Sequence, residues 1–345
     1  MRKRKLRLAT SVCGISIALF LILFLRYGHP EWFGSTPEVP QDTISTDLEN
    51  SNTENDSEDI SDDTSSTTES ATESVTEEST TEKPDTEQNT QTVVKKPLTY
   101  LEQCELDYVE PPVRRDYEQT LAKLKELSLW FPALHNVYDN ADKFTMDLLG
   151  ALAGNPEMTD FAAGMLYRAP VATGGFTEDE RPEDFPLLLQ WDIRWGYVPY
   201  GNSGNNVGIA GCGPTCLSMA SFYLSGDRHW TPDAIAKFSE ENGYYFAGAG
   251  TAWALLDEFP AQVGLTSARV SKTEKKLKAE LDKGNVLICS VRLGNFTSGG
   301  HFIVIYGYDE NGFKVNDPKC IYRSRLSWTY EQIKNDIKQT WSIGK

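Results

Sequence analysis

From Ser35 to about Leu98 the chain is almost entirely Ser, Thr, Glu and Asp, with three prolines before Pro97 and no aromatic residue. Such a tract cannot bury enough apolar surface to offset the entropy of ordering, so it is expected to stay disordered. Folding is thereby confined to the residues beyond it. The tract also explains the charge. Residues 35–90 carry about −16 of the formal net −17, residues 1–34 about +5, and the C-terminal part only about −6. The acidity belongs to one segment, and the folded part shows no basic stripe of the kind nucleic-acid binding needs.

Ahead of the tract, Leu8 to Leu25 (LATSVCGISIALFLILFL) is an apolar run of 18 residues behind a basic tail. That length just spans a bilayer, and the flanking charge predicts a cytoplasmic N-terminus. A cleaved signal peptide is the competing reading, but no small-residue cleavage site follows Leu25. The expected organisation is a cytoplasmic tail (1–7), a signal-anchor (8–25) and an acidic stalk (26–98). A helical accessory unit (99–182) and a catalytic domain (183–345) follow, held outside the cytoplasm. Even as a plain coil the stalk would reach on the order of 45 Å.

Periodicity changes at Thr99. Tyr117, Leu121, Leu124 and Leu127 recur at helical spacing, and Ala141–Leu152 and Pro156–Tyr167 read as two more helices. Asn155-Pro156-Glu157 is a helix-start signal, a cap followed by proline in the first turn. From Glu183 the pattern mixes. Helices are predicted over 214–224, from Thr231-Pro232, over 251–259, and between a Ser271 cap and Gly284. Strands are predicted over 286–291, 301–308, 312–315 and 340–343, with a hairpin turn at Asp309-Glu310-Asn311-Gly312. Helices first and antiparallel strands later indicate an α+β domain.

The chemistry concentrates in GIAGCGPTCLSMASFY (208–223). Cys212 stands at the start of a helix, where free N–H groups and the positive end of the dipole favour a thiolate. Gly211 and Gly213 remove bulk on both sides, so that a substrate backbone can come close. Cys216, one turn on, reads as a buried core residue. With six cysteines in all, five of them outside the apolar run, no disulfide framework is indicated.

A thiol nucleophile needs a base, and the chain has four histidines. His29 abuts the apolar run, His135 falls in the helical unit and His229 in a polar turn. His301 follows Gly299-Gly300 at the mouth of the apolar strand FIVIYGY, where an imidazole is reachable. Asp317, in Val315-Asn316-Asp317-Pro318, returns along the hairpin and can orient that base. With a three-residue loop it shares His301's face, about four residues away along the strands, a gap that twist or a bulge must close. Asn316 is the rival on the opposite face, and a turn-capping aspartate is the competing reading. Trp191 and Trp195 read as packing anchors. GAGTAW (248–253) lacks the third glycine and preceding strand of a dinucleotide loop. No grouping has metal-ligand spacing, so no cofactor is expected.

QWDIRW (190–195), GCGPTCLSM (211–219), GGHFIVIYGYD (299–309) and NDP (316–318) together resemble the papain-like cysteine peptidases of family C-thirty-nine (C39), which includes enzymes that remove bacteriocin leader peptides. The free-standing branch is the nearer likeness. The resemblance covers about 183–345. It implies a papain-like domain with Cys212 as nucleophile, His301 as base and Asp317 as orienter. It further implies Gln190 as the side-chain donor of an oxyanion hole, beside the Cys212 N–H. Gln190 lies 22 positions before Cys212, further than the family's commoner spacing, and a glutamine bonding the backbone is the competing reading. The expected partners are a peptide or protein substrate and, through 8–25, a membrane. A wall-peptide amidase or acyltransferase with the same Cys–His pair, and a non-catalytic surface binding module, are the alternatives.

Overall fold

Capping chemistry lays out the first third of the folded part. The computed structural model describes residues 99–201 and 204–345. The tail, apolar run and acidic tract (1–7, 8–25 and 26–98) lie outside the described residues. Among the described residues no helix is long and apolar enough to cross a membrane. Thr99 and Glu102 form a reciprocal capping box on α1 (Tyr100–Cys104), and Asp116 and Gln119 do the same for α2 (Tyr117–Ser128). Each box satisfies backbone donors that a helix start otherwise leaves unpaired. α3 (Leu134–Tyr138), α4 (Met146–Gly154) and α5 (Thr159–Gly164) complete this part. Both longer helices expected here are broken. Residues 141–143 and 156–158 are single 3-10 turns ahead of α4 and α5.

The remainder holds α6 (Val207–Ala210), α7 (Cys212–Ser225) and α8 (Pro232–Glu241), then a two-stranded hairpin, β1 (Tyr245–Phe246) with β2 (Gly250–Thr251). α9 (Trp253–Gln262), β3 (Thr266–Val270), α10 (Glu274–Leu281), β4 (Val286–Val291), β5 (His301–Asp309) and β6 (Gly312–Asn316) follow. The chain ends with α11 (Ile321–Ser324), β7 (Ser327–Trp328), α12 (Tyr330–Ile333) and β8 (Ile337–Gly344). Six strands form one antiparallel sheet in the order β3-β8-β4-β5-β6-β7. The fold mixes helix and sheet as the pattern indicated. β3 escaped the sequence reading because its residues, Thr-Ser-Ala-Arg-Val, sit at an edge and bury little. The cap of α10 is Thr273 rather than Ser271.

β4 explains the layering. All six of its residues are buried, which suits a central strand covered on both faces. Val286 and Ile288 join a core with α7, Trp195, Tyr200, Phe259 and Trp341. Leu287, Cys289 and Val291 join a second core with Leu277 of α10, Phe296, Trp328 and Ile333. A third core is shared by the helical part and the sheet-bearing part. Leu124, Leu148, Leu149 and Phe161 pack with Leu189, Trp191, Tyr197 and Ile321. Trp191 and Trp195 are fully buried, as packing anchors should be. Burying each large side chain is worth roughly 1.5–3 kcal/mol, so the helical part contributes to the stability of the residues it covers.

The β5–β6 hairpin sets the register that matters for function. Asp309 pairs with Gly312 and Tyr308 with Phe313. The turn therefore has two residues, Glu310 and Asn311, not the three expected. Continued unbroken, that register would set His301 opposite Cys320 and would put Asn316 on His301's face. Instead the ladder shifts between Ile305 and Gly307, so that Ile305 pairs with Val315 and Val304 with Asn316. A bulge inserts one unpaired residue, here Tyr306. It returns Asp317 to the face of His301 and halves the expected offset, from four residues to two.

Candidate active site

α7 begins at Cys212 itself, two residues earlier than Pro214 suggested. The first positions of a helix have N–H groups without an intrahelical acceptor, and the sulfur is attached there. α6, just upstream, is fixed by Asn206, whose side chain accepts from the Ile209 N–H at 3.2 Å. The flanking glycines are required by packing. A Cβ on Gly211 would lie 2.5 Å from the Val207 carbonyl oxygen, and one on Gly213 would lie 2.9 Å from Thr251 Cγ2. Cys212 is half-buried, whereas Cys216 is fully buried, and burial holds the Cys216 thiol well above its ordinary pKa.

His301 opens β5 beside the Cys212 sulfur. Its Nε2 lies 2.8 Å from Asp317 Oδ1, which leaves Nδ1 as the ring nitrogen for the thiol. Burial alone would raise the Cys212 pKa, but the His301 hydrogen bond and charge, with the Phe302 N–H, bring it below the ordinary thiol value. Burial likewise opposes charge on His301, yet the Asp317 charge and hydrogen bonds push its pKa up to about 9. The two shifts have opposite sense. They favour a thiolate–imidazolium pair at neutral pH, the reactive state of such a couple.

Asp317 is held from several sides. Burial opposes its charge, but the Arg323 and His301 charges keep it well below the usual carboxylate range. Arg323 Nε donates to Oδ2 at 2.7 Å and the Lys319 N–H donates to Oδ1 at 2.8 Å. Its own N–H donates to Ser324 Oγ at 2.8 Å. Asn316, the rival, turns to the other face. Its Nδ2 donates to the Pro186 carbonyl at 2.9 Å and lies 3.8 Å from Met219 Sδ.

Gln190 departs from the expectation. Its Nε2 donates to the carbonyls of Gly208 (2.8 Å) and Ile209 (3.1 Å), and its own N–H donates to the Pro318 carbonyl at 2.8 Å. A primary amide has two N–H donors, and both are engaged. The side chain braces α6 just before Cys212 and presents no free donor to an oxyanion. Of the four residues expected at the site, three are drawn into one chain of contacts and the fourth supports the backbone beside them.

Sequence reasoning missed what lies behind Asp317. Arg323 sits on α11, six residues beyond it, and is 4% exposed. Lys319, right after the NDP motif, lines a cleft of about 420 Å³ with Ile209, Ala210, Gly299 and, from the helical part, Arg114 and Asp147. A loop of the helical part also clasps this turn. Asn155 Nδ2 donates to the Lys319 carbonyl at 2.6 Å, and Glu157 accepts from the N–H groups of Ile321 (2.7 Å) and Tyr322 (2.9 Å). The Asn155-Pro156-Glu157 helix-start signal was the visible trace of it. Among the described residues no group of His, Cys, Asp and Glu is arranged to hold a metal ion.

Residues 182–344 match the Peptidase C39-like family, in agreement with the resemblance read from the four motifs. A Bacillus anthracis protein described as a C39-like peptidase aligns structurally at a TM-score of 0.30 and 14% identity, covering 47% of this chain and 96% of that one. No curated protein matches the chain.

Proposed function

With residues 182–344 a C39-like peptidase domain, we propose that this chain is a papain-like cysteine peptidase that hydrolyses peptide bonds through Cys212, His301 and Asp317. The observation that carries this reading is the continuous line from sulfur to imidazole to carboxylate beside a cleft, with the thiol pKa lowered and the imidazole pKa raised. In the reaction, the Cys212 thiolate forms a bond to the carbonyl carbon and the carbonyl electrons move to oxygen. The Cys212 N–H, at the helix start, is the donor assigned to that developing charge. Collapse of the intermediate expels the amine, which takes the imidazolium proton. His301, now neutral, removes a proton from water as the water attacks the thioester. The acid leaves and the thiolate–imidazolium pair is restored. Asp317 keeps the ring oriented and its charged form favourable throughout.

The same proposal places the domain outside the cytoplasm, tethered by the apolar run at 8–25 through the acidic tract. It rests on the basic flank and the length of that run.

The test is alkylation across pH with the modified cysteine identified by mass mapping, alongside cleavage of a quenched peptide library. Cys212 should be modified preferentially below pH 7, and His301→Ala should abolish the preference by letting the thiol pKa rise. A Cys212 no faster than an ordinary cysteine, or a labelling pattern dominated by Cys216, would remove the thiolate mechanism.

A further inference from the structure

The cleft beside Cys212 continues into a small recess behind the Asp317 turn. The two share Val113, Gly150, Ala151, Thr297, Ser298 and Lys319, and Arg323 lines the recess. We propose that this recess binds a carboxylate of the substrate through Lys319 and Arg323, so that the enzyme acts next to an acidic side chain or a terminal carboxylate.

Three observations support this. First, Arg323 Nη1 is buried and has no hydrogen-bond partner, although Nε of the same group is bound to Asp317. A buried unpaired donor is costly, and a guanidinium edge is shaped for a carboxylate. The recess encloses about 30 Å³, enough for a water or for one end of a carboxylate.

Second, the charges do not cancel. The Cys212 thiolate balances the His301 imidazolium, and Asp317 balances Arg323. Lys319 remains: burial and the Arg323 charge lower its pKa, Asp317, the Cys212 thiolate and Asp147 oppose that, and among the described residues it makes no ion pair. Third, the cleft leading there is cationic in a chain whose net charge is −17. Arg114, Arg115 and Lys319 line it against one carboxylate, Asp147. Arg115 faces Glu110 at 3.6 Å, and Asp147 accepts from Asn205 Nδ2 at 2.9 Å. An excess of positive charge is left where a bound peptide would lie.

The inference rests on Cys212 being the nucleophile, and the test separates the two. The full chain is alkylated at Cys212 with iodoacetate and with iodoacetamide. Both reagents consume the same thiolate, so the ratio of their rates cancels the thiolate fraction and reports the pull on the carboxylate. Lys319→Met should lower the ratio about fivefold or more, Lys319→Arg should restore most of it, and in the unaltered protein added salt should lower it. Protection against iodoacetamide then identifies the source of the carboxylate. N-acetylglutamic acid α-amide offers only a side-chain carboxylate, its isomer N-acetylglutamine offers only a terminal one, and N-acetylglutamine amide offers none. Protection by either acid, weakened in Lys319→Met, supports the proposal and assigns the source. A ratio unchanged in Lys319→Met, or protection by neither acid, means a recess filled by water alone and overturns it. If Cys212 reacts with both reagents no faster than an ordinary cysteine, the peptidase reading falls and this inference falls with it.

Discussion

The residue that decides the electrostatics is Asp317. It bonds His301 on one oxygen and Arg323 on the other, with no exposure to solvent. Asp317→Asn removes the charge that raises His301. The alkaline limb of activity, governed by loss of the imidazolium near about 9, should then move to lower pH by about one unit or more. A pH–rate profile measures it, and an unmoved limb would mean that Asp317 does not act through the ring. The sign on stability is the usual one for a depressed carboxylate. Its contribution is present above the unfolded value of about 4 and is lost as pH falls through the lower folded value. Gln190 teaches the complementary point. Its type and place suit an oxyanion donor, yet its amide is committed to two carbonyls. A side chain's inventory of donors is legible in a sequence, but their assignment is not.

Among the elements, the turn from Asp317 to α11 is the one most dependent on its neighbours. Glu157 caps the start of α11 from across the shared core, with both oxygens accepting backbone N–H groups. Its carboxyl is 2% exposed, and burial raises its pKa against the pull of those donors. Glu157→Ala leaves the buried Ile321 N–H unpaired, at about 1–3 kcal/mol, and the half-buried Tyr322 N–H at less, and frees the turn that aims Asp317. The expected outcome is a lower Tm together with slower alkylation of Cys212 near neutral pH. A Tm loss with unchanged alkylation would show the clasp to be purely structural. The helical part therefore contributes to the site as well as covering it. The sequence showed its helices, since capping boxes and Leu spacing are local signals. It did not show the clasp, which joins residues 164 apart.

At the scale of the whole molecule, the proposed arrangement is a catalytic domain joined to a membrane by an acidic tract. Deleting residues 1–34 should move the protein from the membrane pellet to the soluble fraction without changing the alkylation rate of Cys212. A protein already soluble when complete would end the tether reading. What the sequence determined alone was everything with a short-range cause. The helix start carries Cys212, β4 is a mostly apolar strand, and His301 stands at a strand mouth. Tertiary structure decided what depends on register and on chain segments meeting. The bulge at Tyr306 turned Asp317 rather than Asn316 toward His301, and packing engaged the Gln190 amide. The 155–157 loop meets the turn that carries Lys319 and Arg323 only through the packing of the helical part. Local signals arise from each stretch's own backbone and side chains, whereas a one-residue shift in a strand exchanges its two faces.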